Sequence, residues 1–166
     1  MTDKKISYAD NVRRIPFGFR NLSEFREFGK TLHSGFREAG FDDVTAIMQG
    51  SATTGKSFAK EKIFNGDSDF DVAIVSPSLF NLAKNMGLKV WGKTNQPRIL
   101  LEAEESRVEI EGLGLTNVTE ELRKKAGRVV NFMVYRSKSD AFRRAEYSAD
   151  RMGVGRESAN IPIPKQ

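Results

Sequence analysis

Residues Gly50 to Ser57, "GSATTGKS", fit the pattern G-x-x-x-x-G-K-[ST] without a mismatch. A loop of this composition can hold phosphate. Its glycines let backbone amides close around the oxygens, its lysine balances charge on the outer phosphates, and its final hydroxyl can meet a metal ion. Asp69 and Asp71 follow in "GDSDFD", directly ahead of the apolar run "VAIV". On a strand, residues two apart point to one face. Two carboxylates so placed suit a hard, oxygen-seeking cation such as Mg²⁺ or Mn²⁺. The candidate chemistry is metal-assisted work on a phosphate group. Gly50, Ser51, Lys56 and Ser57 would face the nucleotide, and Asp69 and Asp71 the metal. Other chemistry has little material. The chain has no cysteine and one histidine, His33. That removes disulfides, thiolate metal sites and histidine-rich zinc sites, and leaves serine–histidine catalysis almost nothing. His33 falls on a predicted helix beside Leu32 and reads as structural.

The octapeptide admits two readings. In a P-loop NTPase it follows a strand and opens a substantial helix, and the metal-binding carboxylate closes a neighbouring parallel strand. Here Asn65-Gly66 marks a turn that leaves "FAKEKIF" room for at most two helical turns. Asp69 and Asp71 open their strand instead of closing it. The end of one strand meets the start of the next only if the two run antiparallel. In that arrangement Gly50-Ser51 lies beside Asp69 and Asp71. A calcium loop counted from Asp67 fails, because its glycine and glutamate positions hold Val72 and Ser78. A solvated acidic turn is the plain alternative. Against it, Asp71 runs into an apolar strand, where an unpaired charge is costly.

The elements that must position these residues follow from periodicity. Residues 1–20 read as an extended lead-in. Phe25, Phe28, Leu32 and Phe36 recur at helical spacing, with Ser23 as expected N-cap and Gly40 as stop. "VTAIM" (44–48) and "FDVAIV" (70–75) read as the first two strands. Ser78 opens a helix that ends at Gly87. Residues 88–100 read as a loop or edge hairpin, and "RVEIEGLGL" (107–115), by partial alternation, as a strand. Residues 118–126 form a short basic helix stopped by Gly127. "RVVNFMVY" (128–135) is the third clear strand, and 138–147 a last helix. Helices alternating with strands predict an α/β (α+β) sandwich. It occupies residues 1–150, with 151–166 a poorly ordered tail.

A chain of 166 residues suits one domain with a real core. With 39% hydrophobic and 30% charged residues, and no long apolar run, it offers no transmembrane helix. "MTDKKISYADNVRR" lacks the apolar centre of a secretory signal. The expected location is the cytoplasm, either of the producing cell or of a target cell into which the domain is delivered. Net charge of +5 and a pI near 9.5 favour a polyanion such as RNA or a nucleotide. Arg123, Lys124, Lys125 and Arg128, with Arg136, Lys138, Arg143 and Arg144 beyond, read as a solvated basic face that could also guide RNA phosphates.

A Gly-Ser pair closing one strand, followed by Asp-x-Asp opening the next, resembles the polymerase β-type nucleotidyltransferases. The residues concerned are Gly50-Ser51 and "SDFDVAIV". The resemblance covers about residues 23 to 147. It is closest to compact bacterial members found in polymorphic toxins and toxin–antitoxin modules, which "GRVVNFMVYRSKSDAFRRA" also resembles. It implies a mixed β-sheet with flanking helices, strands one and two antiparallel. It further implies transfer of a nucleoside monophosphate from an NTP to a hydroxyl of RNA (tRNA-like) or protein, with Mg²⁺ or Mn²⁺ on Asp69 and Asp71. Ser51 would grip the triphosphate, Lys56 would balance the departing phosphates, and an immunity or antitoxin protein would be a partner. The sequence departs from the family twice. The gap between Ser51 and Asp69 is long, which suggests an enlarged loop over the nucleotide. At the third-acid position stands Asn131, with Glu109 or Glu111 as possible substitutes. A P-loop-like NTPase or kinase, and a non-catalytic nucleotide- or RNA-binding module, are the competing functions.

Overall fold

The computed structural model describes residues 15–56, 62–156 and 159–165. Helix α1 (Leu22–Glu38) buries Phe25, Phe28, Leu32 and Phe36, the apolar stripe at helical spacing. Its N-cap is Asn21, whose side chain accepts from the Glu24 N–H at 2.9 Å, and not Ser23. The Glu24 carboxylate reaches back to the Arg20 N–H at 2.8 Å and fixes the entry to the helix. Strand β1 (Thr45–Gln49) leads into the single-turn helix α2 (Ser51–Thr54), and β2 (Phe70–Val75) into α3 (Pro77–Asn85). Then come β3 (Arg98–Leu101), α4 (Arg107–Gly112), α5 (Thr116–Ala126), β4 (Val130–Tyr135), α6 (Lys138–Met152) and β5 (Ile161–Pro162).

Among the described residues the five strands form one open mixed sheet in the order β3-β4-β2-β1-β5. β2 and β4 run parallel; the β1–β2, β1–β5 and β3–β4 pairs are antiparallel. Alternation gives the sheet two different faces. Val72, Ile74, Phe132 and Val134 point into the main core under α1, α3 and α5. Ile47, Ala73, Val75 and Tyr135 point to the other face, where Ala141 of α6 closes a smaller cluster. The small residues Ala141, Ala145 and Ala149 let α6 lie close on the sheet.

Two sequence expectations are corrected here. Residues 107–112 are helix, not strand: Val108 is 78% exposed and only Ile110 is buried, so the apparent alternation never defined a buried face. The tail is not loose over its described part. β5 pairs with β1 through Ile47↔Pro162 and Met48↔Ile161, the Ile163 N–H donates to the Ala46 carbonyl at 2.9 Å, and Ala159, Ile161 and Ile163 are buried. Proline is tolerated there because β5 is an edge strand with, among the described residues, no outer neighbour to receive an N–H. The tail then crosses α1 at Gly29, where the Pro164 carbonyl comes so close that a Cβ would overlap it. Nearby, His33 is buried, hydrogen-bonded to the Ile163 backbone, and its pKa is lowered, chiefly by burial.

Candidate functional site

The site lies where β1 ends and β2 begins. Gln49, Asp71 and Asn131 are neighbours across β1, β2 and β4, forming a polar row at one end of the α6 face. Gln49 is buried. Its Nε2 donates to the Ala141 carbonyl at 3.0 Å and to Asn160 Oδ1 at 2.8 Å, which ties α6 and the tail to the end of β1. The next residue, Gly50, has φ 73° and ψ −155°, a region essentially closed to residues with a Cβ. A Cβ on Gly50 would stand 2.7 Å from Asp71 Oδ2. The backbone turn therefore rests directly against the Asp71 carboxylate.

The loop beyond is short and closed on itself. Thr53 Oγ1 donates to the Gly50 carbonyl at 2.8 Å, Gly55 ends the turn in the left-handed conformation, and Thr54 Oγ1 donates to the Lys56 carbonyl at 2.9 Å. Lys56 bridges to Ile63, and the Phe64 N–H returns to the Gly55 carbonyl at 2.9 Å. Helix α2 spans four residues, far from the long helix that supports a P-loop. Gly50, Ser51, Lys56, Asp71, Met133 and Arg144 are among the residues that line a cavity of about 200 Å³. Ser57 lies outside the described residues.

The turn that leads into Asp69 is held by the residue that precedes β4. Arg128, just before β4, donates through Nη1 to the carbonyls of Asn65 (3.0 Å) and Ser68 (2.8 Å). Its guanidinium lies over the rings of Phe64 and Phe70, and the Phe70 N–H pairs with the Val129 carbonyl at 2.9 Å. The acidic turn is thus fastened to β4, while Asn65, Gly66, Asp67 and Asp69 remain exposed to solvent. Asn131 completes the fastening. Its Nδ2 donates to Asp69 Oδ2 at 3.1 Å, while its Oδ1 accepts from the Ala103 N–H at 2.8 Å. The amide oxygen is committed to Ala103, so Asn131 presents donors, not an acceptor, toward Asp69. Glu109 and Glu111 sit on α4, and Glu109 lines a different groove with Met86 and Trp91. That groove contains neither Asp69 nor Asp71.

Among the described residues no three or more histidines, cysteines and acids converge as a closed metal cage. Asp71 instead lines an open cavity, and Asp69, two residues before it, accepts from Asn131. That donor set fits the mode in which one or two carboxylates hold Mg²⁺ and substrate phosphates and water complete its shell. No family model, curated protein or solved structure matches the chain.

The basic cluster read from the sequence is divided by the fold. Lys125 lies 3.9 Å from Glu27, Arg136 and Arg143 lie beside Asp140, and Arg128 is built into the turn before Asp69. Arg144 alone of this set lines the cavity. Its spacing from Ala141 and Ala145 puts it at the margin of the packed stripe of α6, a signal available in the sequence once that stripe is recognised. Gln49 carried no such signal, because its partners are a helix carbonyl and a tail residue distant in the chain.

Proposed function

We propose that this chain is a Mg²⁺-dependent nucleotidyltransferase that moves a nucleoside monophosphate from an NTP to an acceptor hydroxyl. The observation that supports this most is the pressing of the Gly50 turn onto the Asp71 carboxylate at the junction of antiparallel β1 and β2. The Gly50 turn and Asp71 line one cavity, and Asp69 lies two residues before Asp71 in the chain, which supports reading the turn as a phosphate grip and the two acids as a cation site. A P-loop enzyme would need β1 and β2 parallel and a long helix after the loop; the antiparallel register and the four-residue α2 weigh against it. In the proposed reaction an acceptor oxygen bonds to the α-phosphorus, the bond from that phosphorus to the β-phosphate's bridging oxygen breaks, and pyrophosphate departs. The acceptor's proton passes to solvent, since Asn131 cannot take it. A cation on Asp69 and Asp71 would supply charge balance for the phosphate oxygens. Backbone and hydroxyl at Gly50-Ser51 orient the triphosphate, and Lys56 meets its outer phosphates.

Asn131 favours a second reading, a nucleotide-binding module without turnover, because its amide braces Asp69 where a third acid would serve chemistry. The toxin role, the neutralising partner and the cytoplasmic setting rest on the sequence resemblance. Among the described residues no helix is long and apolar enough to cross a membrane.

The test is transfer of label from α-³²P-NTP in Asp69→Asn and Asp71→Asn. Each removes a charge from a strand end and barely changes size, so folding should persist while the rate falls about 10²–10³-fold. Wild-type rates in either variant would sink the assignment.

A further inference from the structure

The described end of the chain, Ala159 to Lys165, joins the cavity to helix α1. Ala159 packs with Ala145 and Ala149 of α6 and lines the cavity beside the Gly50 turn. Asn160 Oδ1 accepts from Gln49 Nε2 at 2.8 Å, and Gln49 lines the same cavity. Ile161 and Pro162 pair with Met48 and Ile47 of β1, and the Ile163 N–H donates to the Ala46 carbonyl at 2.9 Å. Ile163 and Pro164 then seat on α1 at Gly29. A Cβ there would stand 3.2 Å from Ile163 Cγ2 and would overlap the Pro164 carbonyl. The segment is a strap, with one end in the cavity wall and the other on α1. With the strap in place the cavity holds about 200 Å³, less than the roughly 300–1,000 Å³ usual for small-molecule sites.

His33 lies under the seated end. It is four residues from Gly29 and shares its helix face. The imidazole is buried and hydrogen-bonded to the Ile163 backbone, and its Nε2 has no partner among the described residues. The charges that act on it are those of Lys165 in the strap and Arg37 on α1, both positive. Burial chiefly, and these two cations after it, hold the His33 pKa down. A proton added to Nε2 would thus meet neither an acceptor nor a counter-charge while the strap is closed. With the strap lifted, the ring gains water and parts from Lys165, and its pKa returns toward about 6.5. Protons therefore favour the lifted state. Each unit between the two pKa values raises its population by up to about tenfold. Burial of Ala159, Ile161 and Ile163 opposes release and keeps the strap down at neutral pH.

We infer that residues 159–165 are an acid-released strap: a proton on His33 lifts the segment from α1 and β1 and opens the cavity wall at Ala159 and Gln49.

The chain has one histidine, so its titration can be followed without ambiguity. Imidazole and backbone resonances of the full chain are recorded from about pH 7.5 to 5.5, above the range of ordinary carboxylates. Amide exchange is measured at Ile163, with Val72 and Phe132 of the central strands as references. In parallel, Ser148→Cys places a lone thiol in the cavity wall. Its rate with a neutral thiol reagent is compared with that of Ser139→Cys, at an exposed position of the same helix. The expected His33 midpoint is below about 6.5, and the Ile163 resonance should move with the same midpoint. Ile163 protection should fall about tenfold or more against the reference amides, and the Ser148→Cys thiol should gain reactivity in step. His33→Gln, which can still donate to Ile163 but takes no proton, should abolish these changes.

A midpoint at or above about 6.5, or Ile163 protection that does not change with pH, overturns the release. A wild-type pH slope retained in His33→Gln assigns the effect to another group and overturns the role of His33. Release of Ile163 without a gain in Ser148→Cys reactivity shows that the strap does not cover the cavity, and the inference falls. If His33→Gln fails to fold, coincidence of the two wild-type midpoints decides. None of these readouts involves an NTP, so the strap and the transferase reading stand or fall separately.

Discussion

Replacing Gly50 by alanine probes the junction on which the functional reading depends. The φ of 73° and ψ of −155° lie in a region that residues with a Cβ enter at a cost of about 1–3 kcal/mol. The added methyl would also stand 2.7 Å from Asp71 Oδ2. That oxygen is the end of a side chain and can rotate aside, so the stability loss should stay within the backbone range. Catalysis should suffer far more, because the displaced carboxylate is the proposed cation ligand. Gly127→Ala is the control. Gly127 ends α5 in the left-handed conformation with nothing within 4 Å of its would-be Cβ. It should cost about 1–2 kcal/mol and leave transfer untouched. Urea titration at neutral pH measures both stabilities, and Mn²⁺ binding with α-label transfer measures the site. If Gly50→Ala loses less than about 0.5 kcal/mol and keeps wild-type transfer, the turn does not shape the Asp71 site.

Lys56→Ala should weaken nucleotide binding about tenfold, the scale of one charged contact, with residual turnover; complete loss alongside tolerance of Asp69→Asn would favour the P-loop reading. Ile161→Ala, at a buried position of β5, should cost about 2–4 kcal/mol, and a urea midpoint equal to wild type would show that the tail contributes nothing. His33 gives a pH signature. Its folded pKa lies below its unfolded value near 6.5, so the unfolded chain binds the proton first and stability falls as pH drops below about 6.5. His33→Leu should flatten that fall in urea midpoints between pH 7.5 and 5, and an unchanged slope would contradict the buried, neutral imidazole.

The parts of the fold legible in sequence are those whose signal is local. "FDVAIV" is a continuous run of strand formers buried on both faces and coincides with β2. The phenylalanine spacing of α1 and the left-handed stop at Gly127 were equally readable. Misreadings arose where distant partners decide. "RVEIEG" offers two apolar residues two apart, too few to distinguish a strand from a helix that buries only Ile110. "IPIP" becomes an edge strand only because β1 lies beside it, whereas the edge hairpin read for residues 88–100 has its counterpart in the Trp91–Arg98 bridge that leads into β3. At the candidate site, residue types pointed to Asp69, Asp71 and the Gly50 turn, and the β1–β2 register sets Asp71 against that turn. The commitment of the Asn131 amide to Ala103 and Asp69 could not be read, because it joins three segments far apart in the chain.

The central claim concerns which phosphorus is attacked. On the proposed reading, with Asp71 against the Gly50 turn, the reacting centre would be the α-phosphate, so the nucleoside monophosphate would stay on the acceptor and pyrophosphate would leave. Parallel incubations of the protein with α-³²P- and γ-³²P-labelled NTP, RNA and cell lysate measure this directly. The account predicts polymer labelling from the α-label alone, dependent on Mg²⁺ or Mn²⁺ and stopped by EDTA. Transfer of the γ-label, or release of orthophosphate with no labelled acceptor, would contradict it and restore Gly50–Ser57 as a P-loop.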